Sequence, residues 1–281
     1  METVNLLGVD IDNLDVPGVV HIMLHRRPAA RFTYVVTPNA DHFARLRRLP
    51  QLRRVYAAAW LRLLDSQMLR HAASSIGLHA PHVATGADIT AALLAALPPQ
   101  KIAIIGLDPK FLPALAARYP ALDIAHFPVP KDFLHNRPAF IEARNFAVAT
   151  GAAFTFIATG SPAQELLAYA IALQPGSAGI GLCIGAALEY RAGAKSRAPA
   201  WMRGAGLEWL YRLLAEPKRL GRRYLVDDPP VLFDLVAERL KRTSLRSLGD
   251  QHPRSAPAAI VAFDPYRPRP TSPLRGIHDA R

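Results

Sequence analysis

The feature that most limits the folds open to this chain is a strand, short turn and helix order, repeated through its first two-thirds. Residues 31–36 (RFTYVV) are rich in β-formers and end at Thr37-Pro38-Asn39. Residues 101–106 (KIAIIG) make a short apolar run with helix-like 113–118 after it. Residues 153–159 (AFTFIAT) lead through Gly160-Ser161-Pro162 into a helical stretch at 163–173, and 180–184 form a third apolar run. Runs this short and continuously apolar suit strands buried on both faces, and a helix after each returns the next strand in parallel. Leucine spacing over 41–70 predicts helix, interrupted near Pro50. The expected class is α/β: a Rossmann-like, mainly parallel sheet over residues 1–190. Ligands of such sheets gather at the C-terminal ends of the strands.

The longest apolar run, 178–188 (AGIGLCIGAAL), is far short of the roughly 18 residues a membrane span requires. One cysteine, Cys183, excludes an internal disulfide and fits a reducing cytoplasm. Ten histidines lack metal-ligand spacing, so no metal is expected, and nothing calls for another cofactor. Beyond residue 190 the composition changes. Residues 191–281 hold 18 Lys and Arg against 9 Asp and Glu, nine of the chain's net +12. Such asymmetry points to a polyanionic partner: a nucleic acid, an anionic membrane surface or a phosphorylated ligand. Residues 191–243 read as a basic, aromatic, helical appendage, and 244–281 as a proline-rich disordered tail.

Five stretches carry candidate chemistry. Thr37-Pro38-Asn39 and the following Ala40-Asp41-His42 place short polar side chains where a strand meets a helix, suited to a phosphate or sugar hydroxyl or simply to an N-cap. Asp65 ends the apolar run WLRLLD, read as helical, where partial desolvation would lift its pKa toward that of a general base. After residues 153–159, Gly160 permits close backbone approach, while Gln164 and Glu165 offer directional hydrogen bonds to a base or ribose at the positive end of a helix. Asp10-Ile11-Asp12 has the spacing of a metal-binding Asp-x-Asp but is too short to be specific.

The fifth stretch is 197–225, with two Trp, two Tyr and seven Arg or Lys beside helically spaced leucines. Arg212, Arg219 and Arg223 would share one face if a helix survived Pro217. Trp201, Trp209, Tyr211 and Tyr224 are amphipathic aromatics of the kind found at a membrane boundary, so the segment reads as interfacial. A solvated basic helix and a nucleic-acid surface are the competing readings. No nucleic-acid recognition motif is present, so no specific nucleic acid is expected.

This run, RAPAWMRGAGLEWLYRLLAEPKRLGRRYL, resembles the C-terminal signature of the WecG/TagA/CpsF glycosyltransferases. Upstream, Thr37-Pro38-Asn39, Leu64-Asp65, Thr85-Gly86-Ala87-Asp88, Gly160-Ser161-Pro162-Ala163-Gln164-Glu165 and Gly193 match the family pattern in order, so the resemblance covers about residues 5–226. It implies an inverting transferase that moves a sugar from a UDP-sugar donor to a polyprenyl-diphosphate-linked sugar. The reaction would take place on the cytoplasmic face of the inner membrane, in the building of cell-surface polysaccharide. N-acetylmannosamine, its uronic acid and glucose are the sugars the family suggests. By the same resemblance Asp65 is the catalytic base with Thr37 beside it, and Gln164 contacts the nucleotide. Arg212, Arg219 and Arg222 belong to an appendage that closes over the site. Residues 1–190 would then be the nucleotide-sugar-binding catalytic domain, and a second copy of the chain, in a homo-oligomer, is among the expected partners.

Three positions depart from the pattern. Ser66 stands where Gly is common after the Asp, Glu189-Tyr190 replaces Asp-Phe, and Val83 occupies the place of an Arg, with His82 next to it as a substitute cation. The loss at 83 motivates an alternative, a non-catalytic nucleotide-sugar-binding scaffold of a polysaccharide assembly complex.

Overall fold

The computed structural model describes residues 1–247 apart from Pro28, with side chains up to residue 242. An antiparallel hairpin, β1 (Thr3–Leu6) and β2 (Val9–Asp12), precedes a six-stranded sheet. The sheet contains β3 (Thr33–Val36), β4 (Leu61–Arg62), β5 (Gln100–Gly106), β6 (Leu122–Phe127), β7 (Phe154–Ala158) and β8 (Ile180–Cys183). Its order is β4-β3-β8-β7-β5-β6, and every pair is parallel. The chain lays β3 and β4 on one side and β5 and β6 on the other; β7 and then β8 fill the gap between them. The α/β, Rossmann-like class expected from the sequence is the one observed.

The strands are continuous apolar runs because both faces are covered. Val35, Ile104, Phe156 and Leu182 meet Val19, Met23 and Leu93 of helices Val16–Leu24 and Gly86–Ala96 in one core. Against the opposite face lies helix Ala163–Ala172, which contacts β3, β7 and β8 and has helix Arg137–Thr150 beside it. Buried on nearly every side, Ala163–Ala172 carries no polar stripe. Each fully buried Leu, Ile or Phe here contributes roughly 1.5–3 kcal/mol. Tyr34, fully buried, satisfies its hydroxyl by donating to the Val55 carbonyl.

The helical expectation for 41–70 holds only in part. Helix Ala40–Arg48 ends before Pro50, and short turns Pro50–Leu52 and Arg53–Ala57 follow. Residues 61–64 are then extended: β4 pairs with β3, and Leu64 makes a lone parallel bridge to Val83. Leu61, Leu63 and Leu64 are all fully buried, since the edge strand is roofed by the N-terminal hairpin as well as by the core. A run apolar on both faces has no period that tells strand from helix. Asp12 belongs to this roof rather than to a metal site. It is buried, accepts from the Arg62 amide at 2.8 Å, and lies 3.5 Å from the Arg62 guanidinium, while Asp10 is exposed and bonded to Asn5.

After residue 191 come helices Ala200–Gly204, Glu208–Ala215 and Pro217–Arg222, a π-helical turn Arg223–Asp227, and helix Pro229–Ser247. Pro217 starts a new helix instead of bending an old one, because it lacks the amide that would continue the ladder but suits the first helical position. Helix Pro229–Ser247 packs across helices Ala40–Arg48 and Gln67–Ser75. Its Glu238 accepts from the Leu7 amide at 2.8 Å, and its Arg242 donates to the Asn5 carbonyl at 2.6 Å. Of the tail expected from 244, residues 244–247 lie in this helix, and the rest is outside the described residues. Among the described residues no helix is long and apolar enough to cross a membrane.

Candidate active site

Asp65 follows β4 at the C-terminal end of the sheet. Its amide donates to the Pro38 carbonyl at 2.9 Å, which ties it to the loop leaving β3. Its Oδ2 accepts from the Gly86 amide at 3.1 Å, the first residue of helix Gly86–Ala96. That helix is capped by Thr85, whose hydroxyl accepts from the Asp88 amide and donates to the Asp88 carboxylate. Space at 86 is tight: a Cβ there would sit 3.1 Å from Thr37 Oγ1, closer than an ordinary contact, and 3.7 Å from Asp65 Oδ2. Burial pushes the Asp65 carboxyl above the ordinary carboxylate value. Arg212 and the Gly86 amide draw it back, and Glu208 adds to the rise. A proton affinity raised by desolvation is what a general base needs.

Two cavities of about 550 and 520 Å³ adjoin at this point, sharing Asn39, Asp65, Thr85, Arg212, Arg223 and Tyr224 in their walls. The second lies over the ends of β3, β7 and β8 and is lined by Thr37, Gly160, Gln164 and Gly185, with Arg45, Lys195 and Arg219 as cations. The first lies beyond Asp65 and is more apolar, with Met68, Val83, Trp209, Pro229 and Leu232 beside Arg197 and Arg203. Asp65 is therefore reached from both sides.

Behind the second cavity runs a hydrogen-bonded row. The Gly185 amide donates to Gln164 Oε1 at 2.9 Å, and Gln164 Nε2 donates to Glu165 Oε1 at 2.8 Å. His42 bridges Glu165 at 3.2 Å and Asn39 Oδ1 at 2.8 Å. Burial works to raise the Glu165 carboxyl, but the bonds from His42 and Gln164 hold it below its usual value. At 1% exposure Glu165 lines neither cavity; it sets the orientation of Gln164 and His42. Gly160 (φ +76°) turns the chain after β7, ahead of a cis Ser161–Pro162 bond.

Of the appendage arginines, Arg212 lines both cavities and Arg219 the second. Arg222 lines neither: its side chain is 85% exposed, 4.0 Å from Asp227. The neighbouring Arg223 enters instead, donating to Asn39 Oδ1 at 3.3 Å and lying between Asp41 and Asp228. The restart at Pro217 and the π-helical turn choose between these two residues, a choice hidden in the run Gly-Arg-Arg-Tyr. Trp209 and Tyr224, read from the sequence as membrane-facing, line the first cavity and meet edge to face at 6.0 Å, whereas Trp201 is 68% exposed. Lys195 and Arg45 have no sequence signal beyond membership of a basic chain, while Arg197 and Arg203 lie in the signature run 197–225 without being singled out there. The departures also find places. Ser66 caps helix Gln67–Ser75 through the Leu69 amide, Tyr190 lies beneath the Arg212 guanidinium at 5.7 Å, and Val83 is a cavity wall. His82 is exposed and lines neither cavity, so it is no substitute for an arginine at 83. Among the described residues no group of three or more His, Cys, Asp or Glu is placed to hold a metal.

A carboxylate shared by two cavities, one of them cationic at the strand ends, is the arrangement a group-transfer enzyme with two substrates needs. The glycosyl transferase WecG/TagA/CpsF family model matches residues 4–245. The chain belongs to the WecG/TagA/CpsF glycosyltransferase family. Membership in this family implies a nucleotide-sugar donor and a sugar acceptor. The match runs from the N-terminal hairpin into helix Pro229–Ser247, so both cavities of this WecG/TagA/CpsF protein lie within it.

Proposed function

We propose that the protein transfers a sugar, with inversion, from a UDP-sugar to a polyprenyl-diphosphate-linked sugar in the biosynthesis of cell-surface polysaccharide. The observation that carries this reading is the position of Asp65 in the wall common to both cavities. The donor occupies the second cavity, with its nucleotide near Gln164 and its diphosphate facing Arg212, Arg219, Arg223 and Lys195. The acceptor enters through the first cavity, whose apolar wall suits the lipid end. Asp65 takes the proton of the acceptor hydroxyl, and that oxygen attacks the anomeric carbon from the face opposite the diphosphate. UDP departs with the bonding pair, its growing charge met by guanidinium forks. Thr37 and Asn39 contact the donor sugar or its diphosphate. Residues 1–190 carry the donor site, and 191–243 bring the cations and the approach to the membrane.

Exposed apolar side chains support attachment to an anionic membrane surface. Leu214, Leu225, Val226, Phe233 and Leu240 are each at least 60% exposed, as is the Arg222 side chain. These residues, rather than Trp209 and Tyr224, are the ones to meet lipid.

The test is UDP release from a panel of UDP-sugars with a short-chain lipid-diphosphate-GlcNAc or -Glc acceptor, wild type beside Asp65→Asn. Acceptor-dependent release from one donor, reduced roughly 10²–10⁴-fold in the variant, is expected. Undiminished release by Asp65→Asn would remove Asp65 from the chemistry. Donor binding with no release, across all acceptors, would favour the scaffold alternative.

A further inference from the structure

A row of alternating charges crosses the wall of the first cavity. Asp88, on the first turn of helix Gly86–Ala96, accepts from Arg197 Nη1 at 2.5 Å and from Arg203 Nη1 at 3.5 Å. Arg197 Nη2 lies 3.7 Å from Glu208 Oε2, and Glu208 Oε1 accepts from Arg212 Nη2 at 2.6 Å and Nε at 3.2 Å. The two ends of this row hold two of the groups that favour the Asp65 anion. Helix Gly86–Ala96 presents the Gly86 amide, and helix Glu208–Ala215 presents the Arg212 guanidinium. Glu208 stands in the middle, between Arg197 and Arg212. Through Asp88 the row joins the segment after residue 191 to helix Gly86–Ala96.

We infer that Glu208 is a positioning residue for the transfer: its carboxylate fixes Arg212 in the wall common to both cavities and offsets the charge of Arg197 and Arg212 beside Asp65. The inference rests on the reading of Asp65 as the base. An arginine with no countercharge would hold the Asp65 proton affinity down and weaken it as a base; an arginine with no tether would lose its aim at the diphosphate. Glu208 does both jobs with one side chain. The groups that face Asp65 from its surroundings are Arg212 and Glu208, Arg197 from the segment before helix Ala200–Gly204, His42 from helix Ala40–Arg48, and the Gly86 amide. Arg223, in the same shared wall, completes the set. The direction of the Glu208 effect agrees with its charge, which raises the Asp65 carboxyl while Arg212 lowers it.

The experiment compares the pH dependence of kcat/KM for UDP release in wild type, Glu208→Gln, Glu208→Asp and Arg197→Gln, with the Asp65 carboxyl titrated by carbon NMR in each. Glu208→Gln keeps a hydrogen-bond acceptor but loses the charge. Its acid limb and its Asp65 titration should move to lower pH by about half a unit, the order expected for a unit charge near a half-buried carboxylate. Arg197→Gln should move both to higher pH, and Glu208→Asp should restore the wild-type position. Opposite shifts from two changes in the same row are not produced by general loosening. Equal positions in Glu208→Gln and wild type would overturn the inference, as would shifts of the same sign in Glu208→Gln and Arg197→Gln. If Asp65→Asn turns over like wild type, the base assignment itself fails; if that variant is inactive and the limbs do not move, only the role of Glu208 fails. Should Glu208→Gln not fold, the upward shift in Arg197→Gln and the unmoved limb of Glu208→Asp decide.

Discussion

Replacing Asp228 by Asn should stabilise the protein at neutral pH and leave it unchanged in acid. Asp228 directly precedes helix Pro229–Ser247, the place of an N-cap, yet the two residues after it are Pro229 and Pro230. Neither has an amide hydrogen, and the Val231 amide is already given to the Asp228 carbonyl at 2.9 Å. The carboxylate is thus 5% exposed with no backbone donor, and its nearest cation, Arg223 Nε, is 3.6 Å away and shared with Asp41. Burial, with the charges of Asp41 and Asp227 added, outweighs Arg223 and pushes the carboxyl up to about 6 from 3.8. A raised carboxyl binds its proton more tightly in the folded state, so stability falls as pH rises from about 4 to about 6 and stays lower above. At about 1.4 kcal/mol per pH unit, the ionised side chain costs on the order of 2–3 kcal/mol at pH 8. Asn, neutral and of the same shape, escapes that cost. Urea unfolding of both proteins at pH 4 and pH 8 should give a gain for the variant of about 2 kcal/mol at pH 8 and little at pH 4. A gain independent of pH, or a loss at pH 8, would show that Arg223 and Asp228 form a productive ion pair and would refute the reasoning.

Other predictions concern the site and its surroundings. Because the Asp65 carboxyl is raised by burial, the acid limb of kcat/KM should lie above the ordinary carboxylate value, with activity rising as pH rises through it; a limb at or below pH 4 would contradict this. Gly86→Ala should push a methyl against Thr37 Oγ1 and displace the amide that Asp65 accepts. Turnover should fall at least about tenfold while thermal unfolding changes by only about 1 kcal/mol, and an unimpaired Gly86→Ala enzyme would show that this contact is idle. Introducing Phe233→Asp with Leu240→Asp, both on exposed positions, should weaken binding to anionic liposomes by roughly tenfold or more. Arg212→Ala should instead spare liposome binding and abolish turnover, because Arg212 faces the cavities.

Much of the fold was legible because its signals are local. β5, β7 and β8 are short apolar runs closed by Gly or Pro, and helix Ala163–Ala172 follows directly after Gly160-Ser161-Pro162. β4 was not legible: Leu61 in it and Leu63 and Leu64 after it are all fully buried, Arg62 bonds to the hairpin 52 residues earlier, and burial on all sides erases periodicity. The candidate site shows the same division. Asp65, Thr37, Asn39, Gly160 and Gln164 stand at strand ends and come together as expected. Glu165 turned inward because His42 and Gln164 offer it hydrogen bonds in a place closed to ligand.

By itself the sequence determined the parallel α/β class, the strand ends where a ligand would sit, and a cation-rich segment to cover them. These follow from apolar run length, turn residues and charge, all of which act between neighbours along the chain. Only the tertiary structure decided that Asp65 lies on an extended edge between two cavities, that Arg223 rather than Arg222 enters, and that Glu208 stands between Arg197 and Arg212. Each of these depends on the angle at which one element meets another. A one-residue turn of a helix, about 100°, exchanges a side chain in the cleft for one in water without changing any pattern the sequence displays.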